Sequence, residues 1–123
     1  MLTLPIKKKW FDMIKSGEKK EEYREIKPYW NKRFIKLMGV GIYNPEKNTF
    51  YPSFEKDEKI GYEPKSKYVL FRNGYGNDKP TIKCLIELSM GIGKPELGAE
   101  PNKLYYVLKI LSVKEVQKWI MKN

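Results

Sequence analysis

The feature that most restricts the fold is an alternation of apolar and polar side chains over residues 81–89, interrupted only at Leu85. The apolar positions are Ile82, Cys84, Ile86 and Leu88. Lys83 and Glu87 fall on the opposite side of an extended chain, because successive side chains of a strand point to opposite faces. This pattern predicts a β-strand with one face on a hydrophobic core. Cys84 is then a small core residue and not a nucleophile.

The remaining patterns predict an α+β fold, as one domain over residues 1–123, with a mostly antiparallel sheet. Further strands are predicted at residues 2–4, 20–26, 68–72 and 104–111. One helix is predicted over residues 7–16, where Trp10, Phe11 and Ile14 share a face, and Gly17 supplies the left-handed stop. A short second helix follows Pro28, with Trp30, Phe34 and Leu37 at helical spacing.

Two segments give less regular signals. Residues 44–66 are rich in proline and charge, and we interpret them as a long excursion anchored by Phe50, Tyr51 and Phe54. Ser112–Glu115 matches a capping box, which predicts a C-terminal helix. That helix would bury Val116, Trp119 and Ile120 and expose a stripe of lysines at Lys114, Lys118 and Lys122.

The composition excludes several kinds of chemistry. The chain has no histidine and one cysteine, so Ser-His-Asp, Cys-His and Cys/His zinc sites cannot be built. A single cysteine also excludes an internal disulfide and fits a reducing, cytoplasmic compartment. No apolar run approaches a membrane span, and Lys7–Lys9 directly after Ile6 argues against a signal peptide. We expect no membrane partner, no metal and no cofactor.

The net charge of +10 fits either a solubilising surface or a phosphate-bearing ligand. Lysine supplies nearly all of the basic side chains, and the arginines are Arg24, Arg33 and Arg72. Where lysine is the default cation, an arginine suggests that its planar, forked guanidinium is needed.

The densest group of charged residues is Gly17–Arg24, directly after the first predicted helix. Glu22 and Arg24 lie two residues apart on the following strand, so they project from one face and can pair or converge on a ligand. The alternative is a solvated edge strand whose charges prevent aggregation. The segment alone leaves both open.

Three blocks of this chain resemble ASCH domains (activating-signal-cointegrator homology), which belong to the PUA-like superfamily. The first block is Gly17, Lys19, Glu22 and Arg24 after the Trp10-containing helix; the others are Phe71–Tyr75 and Gly98–Pro101. The resemblance covers nearly the whole chain apart from residues 44–66. It implies a small, mostly antiparallel PUA-like β-barrel flanked by two or three helices. It also implies a cleft for RNA or a nucleotide-like ligand.

One hypothesis is therefore an RNA- or nucleotide-binding module. Its candidate contacts are Lys19, Arg24 and Arg72 for phosphate or base edges, Tyr23 and Tyr75 for base stacking, and Asn73 for an amide-like edge. Core packing is the alternative for the two tyrosines. Glu22 and Glu100 are further ligand-site candidates, and they could hold a cation only if the fold brings them together.

The other main hypothesis is a metal-independent hydrolase acting on nucleic acid or a modified nucleoside, since some ASCH members resemble ribonucleases or acylcytidine amidohydrolases. Lys19 would then be a base with a lowered pKa, and Glu22 would activate a water. The amidohydrolases carry threonine where this chain has Glu22, so their hydroxyl nucleophile is absent here. Holding Arg24 in place is the simpler role for Glu22. A third hypothesis is docking of an acidic partner on the C-terminal lysine stripe.

Overall fold

The computed structural model describes residues 1–56, 58–59, 61 and 66–115. The strands are β1 (Thr3–Ile6), β2 (Glu21–Glu25), β3 (Gly41–Asn44), β4 (Thr49–Pro52), β5 (Lys67–Asn73), β6 (Thr81–Ile92) and β7 (Leu104–Glu115). The helices are α1 (Lys8–Ser16), α2 (Pro28–Met38) and a 3₁₀ turn at Pro95–Leu97. The predicted α+β class is confirmed.

Five strands form one curled sheet in the order β1-β5-β6-β7-β2. All neighbouring pairs are antiparallel except β1 and β5, which run parallel. The sheet is a half-barrel with β1 and β2 as its two edge strands. Pro5 is tolerated in β1 because an edge strand can leave a backbone N–H position unpaired.

Glycine residues define the ends of α1 and α2, and a proline defines the start of α2. α1 ends at Gly17, which has φ +88°, and α2 ends at Gly39, which has φ +84°. These left-handed conformations favour glycine, since a Cβ would be strained there. Pro28 opens α2 at a first-turn position where its missing N–H costs nothing.

Both helices contribute to one hydrophobic core with the sheet. Its buried members include Leu4, Phe11, Ile14, Phe34, Val69, Phe71, Tyr106 and Leu108. The predicted inward face of β6 is confirmed: Ile82, Cys84, Ile86 and Leu88 are all buried. A second, smaller cluster consists of Tyr23, Ala99, Tyr105 and Val107, with Leu97 packed against it.

Two predictions made from local patterns are wrong. The excursion begins as a hairpin of β3 and β4, in which Phe50 is 57% exposed and so is not an anchor, whereas Phe54 does pack against the core. Ser112–Glu115 does not start a helix, because β7 continues through these residues in register with β6. The proposed helical residues Val116, Trp119 and Ile120, and the stripe lysines Lys118 and Lys122, lie outside the described residues.

In the part of the chain that the structure describes, we find no helix with the length and hydrophobicity needed to cross a bilayer. The cytoplasmic location stays a prediction.

Candidate functional site

The curl of the sheet brings its two edge strands together. Arg24 on β2 donates a hydrogen bond of 3.0 Å from Nη2 to the backbone oxygen of Pro5 on β1. We call this junction of β1 and β2 the seam. A first cleft of about 400 Å³ opens at the seam. Its lining residues are Pro5, Ile6, Lys7, Trp10, Glu22, Tyr23, Arg24, Gly74, Tyr75, Leu97, Gly98 and Tyr105.

In the lining of the first cleft, Glu22 bridges two cations. Its Oε1 lies 3.3 Å from Nζ of Lys19, and its Oε2 accepts a hydrogen bond of 2.8 Å from Nη1 of Arg24. Glu22 is only 5% exposed. β2 places Glu22 and Arg24 on one face, opposite Leu108 and Tyr106 of β7, as their spacing predicted. Both carboxylate oxygens therefore face cations.

Lys19 is the most deeply buried of the three charged groups, at 1% exposure. Its ammonium donates to the backbone oxygen of Leu97 and lies 4.5 Å from the centre of the Trp10 ring and 5.1 Å from that of Tyr23. Burial lowers the pKa of Lys19, while the charge and hydrogen bond of Glu22 oppose that change. Lys19 supports the first cleft from beneath but does not line it.

Arg24 is held in place by hydrogen bonds that use only some of its N–H donors. Nη1 donates to Glu22 and, at 3.3 Å, to the backbone oxygen of Tyr23, while Nη2 donates to Pro5. Nε is buried and has no hydrogen-bond partner among the described residues. The guanidinium carbon lies 5.2 Å from the centre of the Trp30 ring. Of the five N–H donors of an arginine, two are left without a described partner.

The two candidate stacking tyrosines differ in exposure. Tyr23 is buried: its hydroxyl donates to Glu21 at 2.7 Å and accepts from the backbone N–H of Lys94 at 3.1 Å, and its ring packs against Tyr105. Burial raises the pKa of Tyr23. Tyr75 is 84% exposed at the rim. Tyr75, and not Tyr23, offers an open ring face to a ligand.

The structure places the other three candidates outside the lining of the first cleft. Arg72 follows the core-facing Phe71 on β5, so it projects from the opposite face of the sheet, and its Nε is buried without a described partner. Asn73 is paired in register with Ile6 and is half-buried. Glu100 is exposed and pairs with Lys103 at 3.2 Å. Glu22 and Glu100 therefore have separate cation partners.

Sequence reasoning missed most of the lining residues of the first cleft, and three of these show why. Trp10 was assigned to the core, yet it forms a wall of the cleft and covers Lys19. Gly98 has φ +106°, and a Cβ there would lie 3.0 Å from the Trp10 ring. Tyr105 accepts a hydrogen bond of 2.9 Å from the N–H of Glu100. Gly98 leaves room for the Trp10 ring, which is distant in the sequence. No local sequence pattern indicates that contact, so only the fold reveals it.

A second cleft of about 690 Å³ adjoins the first. It is lined by Pro5, Tyr23, Arg24, Glu25, Lys27, Pro28, Tyr29, Trp30, Tyr75 and Tyr105. Each cleft also borders the start of a helix, since Lys7 is the N-cap of α1 and Lys27 that of α2. Neither lysine caps its helix with a side-chain hydrogen bond, and neither first turn contains an acidic residue.

Comparisons of this chain with protein-family models, with curated proteins and with solved structures found no match.

Proposed function

We propose that this chain is an ASCH-like domain of the PUA-like type that binds RNA or a nucleotide at the seam. The observation that carries the proposal is the guanidinium of Arg24, which is fixed by Glu22 and Pro5, belongs to a residue that lines the first cleft, and keeps two N–H donors without a described partner. A fixed, forked cation is suited to a phosphate or to a base edge. The exposed ring of Tyr75 at the same rim is suited to stacking.

The electrostatics of the first cleft also favour an anion. Lys19 and Arg24 both pair with the carboxylate of Glu22, and Lys7 lines the same cleft as a third cation. The positive end of the α1 dipole adds to this potential, because no acidic side chain offsets it in the first turn. We therefore expect affinity to fall as salt rises, as it does when phosphates are bound by cationic side chains.

The alternative function is a metal-independent hydrolase in which Lys19 and Glu22 are catalytic. A general base needs a free acceptor within reach of the proton that it removes. Both oxygens of Glu22 already face cations, and the ammonium of Lys19 is engaged with Leu97 beneath the cleft. We therefore propose that Glu22 positions Arg24, and we favour binding over catalysis.

The test is fluorescence anisotropy with a labelled single-stranded RNA of about ten nucleotides, titrated at several salt concentrations. We expect Arg24→Gln to weaken binding about tenfold or more, because hydrogen bonds to charged groups contribute strongly. Lys47→Gln is the matched control, since it removes one positive charge from the exposed β3–β4 turn, away from both clefts. Equal losses in the two variants would indicate diffuse electrostatic attraction and would contradict a defined site.

Arg24 also contributes to the fold, so a second variant is needed. Tyr75→Ala alters an 84% exposed ring and should leave the thermal unfolding temperature unchanged. We expect it to weaken RNA binding several-fold by removing a stacking surface. If this variant binds RNA with wild-type affinity, Tyr75 does not stack on a base as proposed.

A further inference from the structure

The two clefts are parts of one groove. They share the residues Pro5, Tyr23, Arg24, Tyr75 and Tyr105. Arg24 therefore stands at the division between them, with Tyr75 on the rim of both. We propose that this groove holds two consecutive nucleotides of a single-stranded RNA, with the linking phosphodiester at Arg24 and one base in each cleft. This inference rests on the proposed function and specifies its ligand.

The free donors of Arg24 suit a phosphodiester. Nε has no described partner, and Nη2 uses one of its two N–H groups on Pro5. Nε and Nη2 lie on the same edge of the guanidinium, where arginine forms paired hydrogen bonds with two oxygens of one phosphate. Nε is buried in this structure, so the Arg24 side chain has to move on binding for Nε to reach the phosphate. The required ligand group is thus one with two adjacent anionic oxygens.

The second cleft has the character of a base-binding site. Tyr29 is 51% exposed, and its ring lies edge-on to Trp30 with centroids 4.8 Å apart. Arg33 holds Tyr29 in place, because its guanidinium stacks 3.4 Å from the ring centre and donates to the Tyr29 backbone oxygen. A fixed, partly exposed aromatic ring stacks on a base with little loss of conformational entropy.

Size and charge favour a dinucleotide over one large anion. Volumes of about 400 and 690 Å³ each lie in the usual range for small-ligand pockets, so each cleft has room for a nucleoside. The carboxylate of Glu25 in the second cleft is offset by Lys103 at 3.3 Å and Lys27 at 3.7 Å. Arg24 is the cation that lines both clefts, so a single phosphate between the two bases would lie against it.

The test compares adenosine monophosphate with the dinucleoside monophosphate ApA by isothermal titration calorimetry. The mononucleotide carries more negative charge than the dinucleotide, so simple electrostatic attraction favours the mononucleotide. The groove predicts the opposite order, with ApA binding about tenfold more tightly because a second base is stacked. Tyr29→Ala should remove this advantage, so that ApA then binds no more tightly than adenosine monophosphate.

Tyr68→Ala is the matched control. Tyr68 is 48% exposed and also has a cation over its ring, Lys83 at 4.6 Å, but it lies on β5 outside both clefts. If ApA and adenosine monophosphate bind equally well, or if Tyr29→Ala and Tyr68→Ala behave alike, the two-nucleotide groove is wrong while nucleotide binding at the seam stands. If neither these ligands nor the longer RNA binds, the proposed function and this inference both fail.

Discussion

The hydroxyl of Tyr106 donates a hydrogen bond of 2.6 Å to Oδ1 of Asn31, and both side chains are buried. This bond joins the interior strand β7 to α2. We expect Tyr106→Phe to lower the free energy of unfolding by about 1–3 kcal/mol, because it leaves a buried acceptor unpaired. Urea denaturation measures the change. Tyr68→Phe, at an exposed site, should change it by less than about 0.5 kcal/mol, and equal effects would contradict the explanation.

Replacing Glu22 by glutamine separates a positioning role from a catalytic one. Glu22→Gln keeps the side-chain shape but removes the charge that holds Arg24 and Lys19. We expect RNA affinity to fall about tenfold or more, since loss of a charge-assisted hydrogen bond costs on the order of 1.5–3 kcal/mol. Glu46→Gln, in the exposed β3–β4 turn, is the control. Hydrolysis of RNA or acylcytidine by the wild type that disappears in Glu22→Gln, with binding unchanged, would make Glu22 a general base.

A pair of glycine substitutions tests the wall formed by Trp10. Gly17 and Gly98 both have positive φ, but only at Gly98 would a Cβ approach another side chain, Trp10 at 3.0 Å. Gly17→Ala should cost about 1–2 kcal/mol from backbone strain alone. Gly98→Ala should cost more and should also weaken RNA binding, because Trp10 has to shift in the first cleft. Comparable losses of stability, with binding intact in both variants, would exclude this role for Gly98.

We expect the protein to lose stability at alkaline pH, because a buried thiol and two buried tyrosine hydroxyls deprotonate more easily in the unfolded chain. Burial raises the pKa of Cys84 from its ordinary 9.0 to about 12, and it also raises the pKa values of Tyr23 and Tyr106. Above pH 9 the unfolded chain therefore loses protons that the folded chain retains, so the free energy of unfolding falls as pH rises. The pKa of Lys19 is lowered from its ordinary value of 10.5, so below pH 10.5 this group makes the free energy of unfolding rise with pH. Its effect opposes that of Cys84 and the two tyrosines, which are three groups against one.

Urea denaturation between pH 8 and about 11 measures this dependence. In Cys84→Val we expect the decrease in the free energy of unfolding that starts near pH 9 to disappear. The decrease due to the two tyrosines should remain. A thiol reagent at pH 8 should leave Cys84 unmodified in the folded protein and modify it after unfolding, since the side chain is fully buried. Rapid modification of the folded protein would show that Cys84 is accessible.

Short sequence patterns predicted the conformation correctly where contacts between neighbouring residues determine it. The alternation around Cys84 and the left-handed stop at Gly17 could both be predicted from neighbouring residues. The capping-box pattern at Ser112–Glu115 failed because pairing with β6, for example Val113 with Cys84, decides the conformation there.

The candidate site was predictable only within β2. Glu22 and Arg24 share a face because of their spacing, whereas the bond from Arg24 to Pro5 depends on the curl of the whole sheet. Arg72 was grouped with Arg24 by motif, although its position next to the core-facing Phe71 directs it to the other face. The burial of Asn31 also arises from packing between distant elements, which no short pattern encodes.

The seam also determines when during synthesis the protein can begin to bind its ligand. Pro5 and Arg24 leave the ribosome early, but their strands have no partners then, because Thr3 pairs with Leu70 and Glu21 pairs with Lys109. Such distant pairings form slowly, since long loops must close before the contacts stabilise them. A nascent chain therefore carries its charged seam residues exposed until β7 has emerged, and ligand binding begins only after that point.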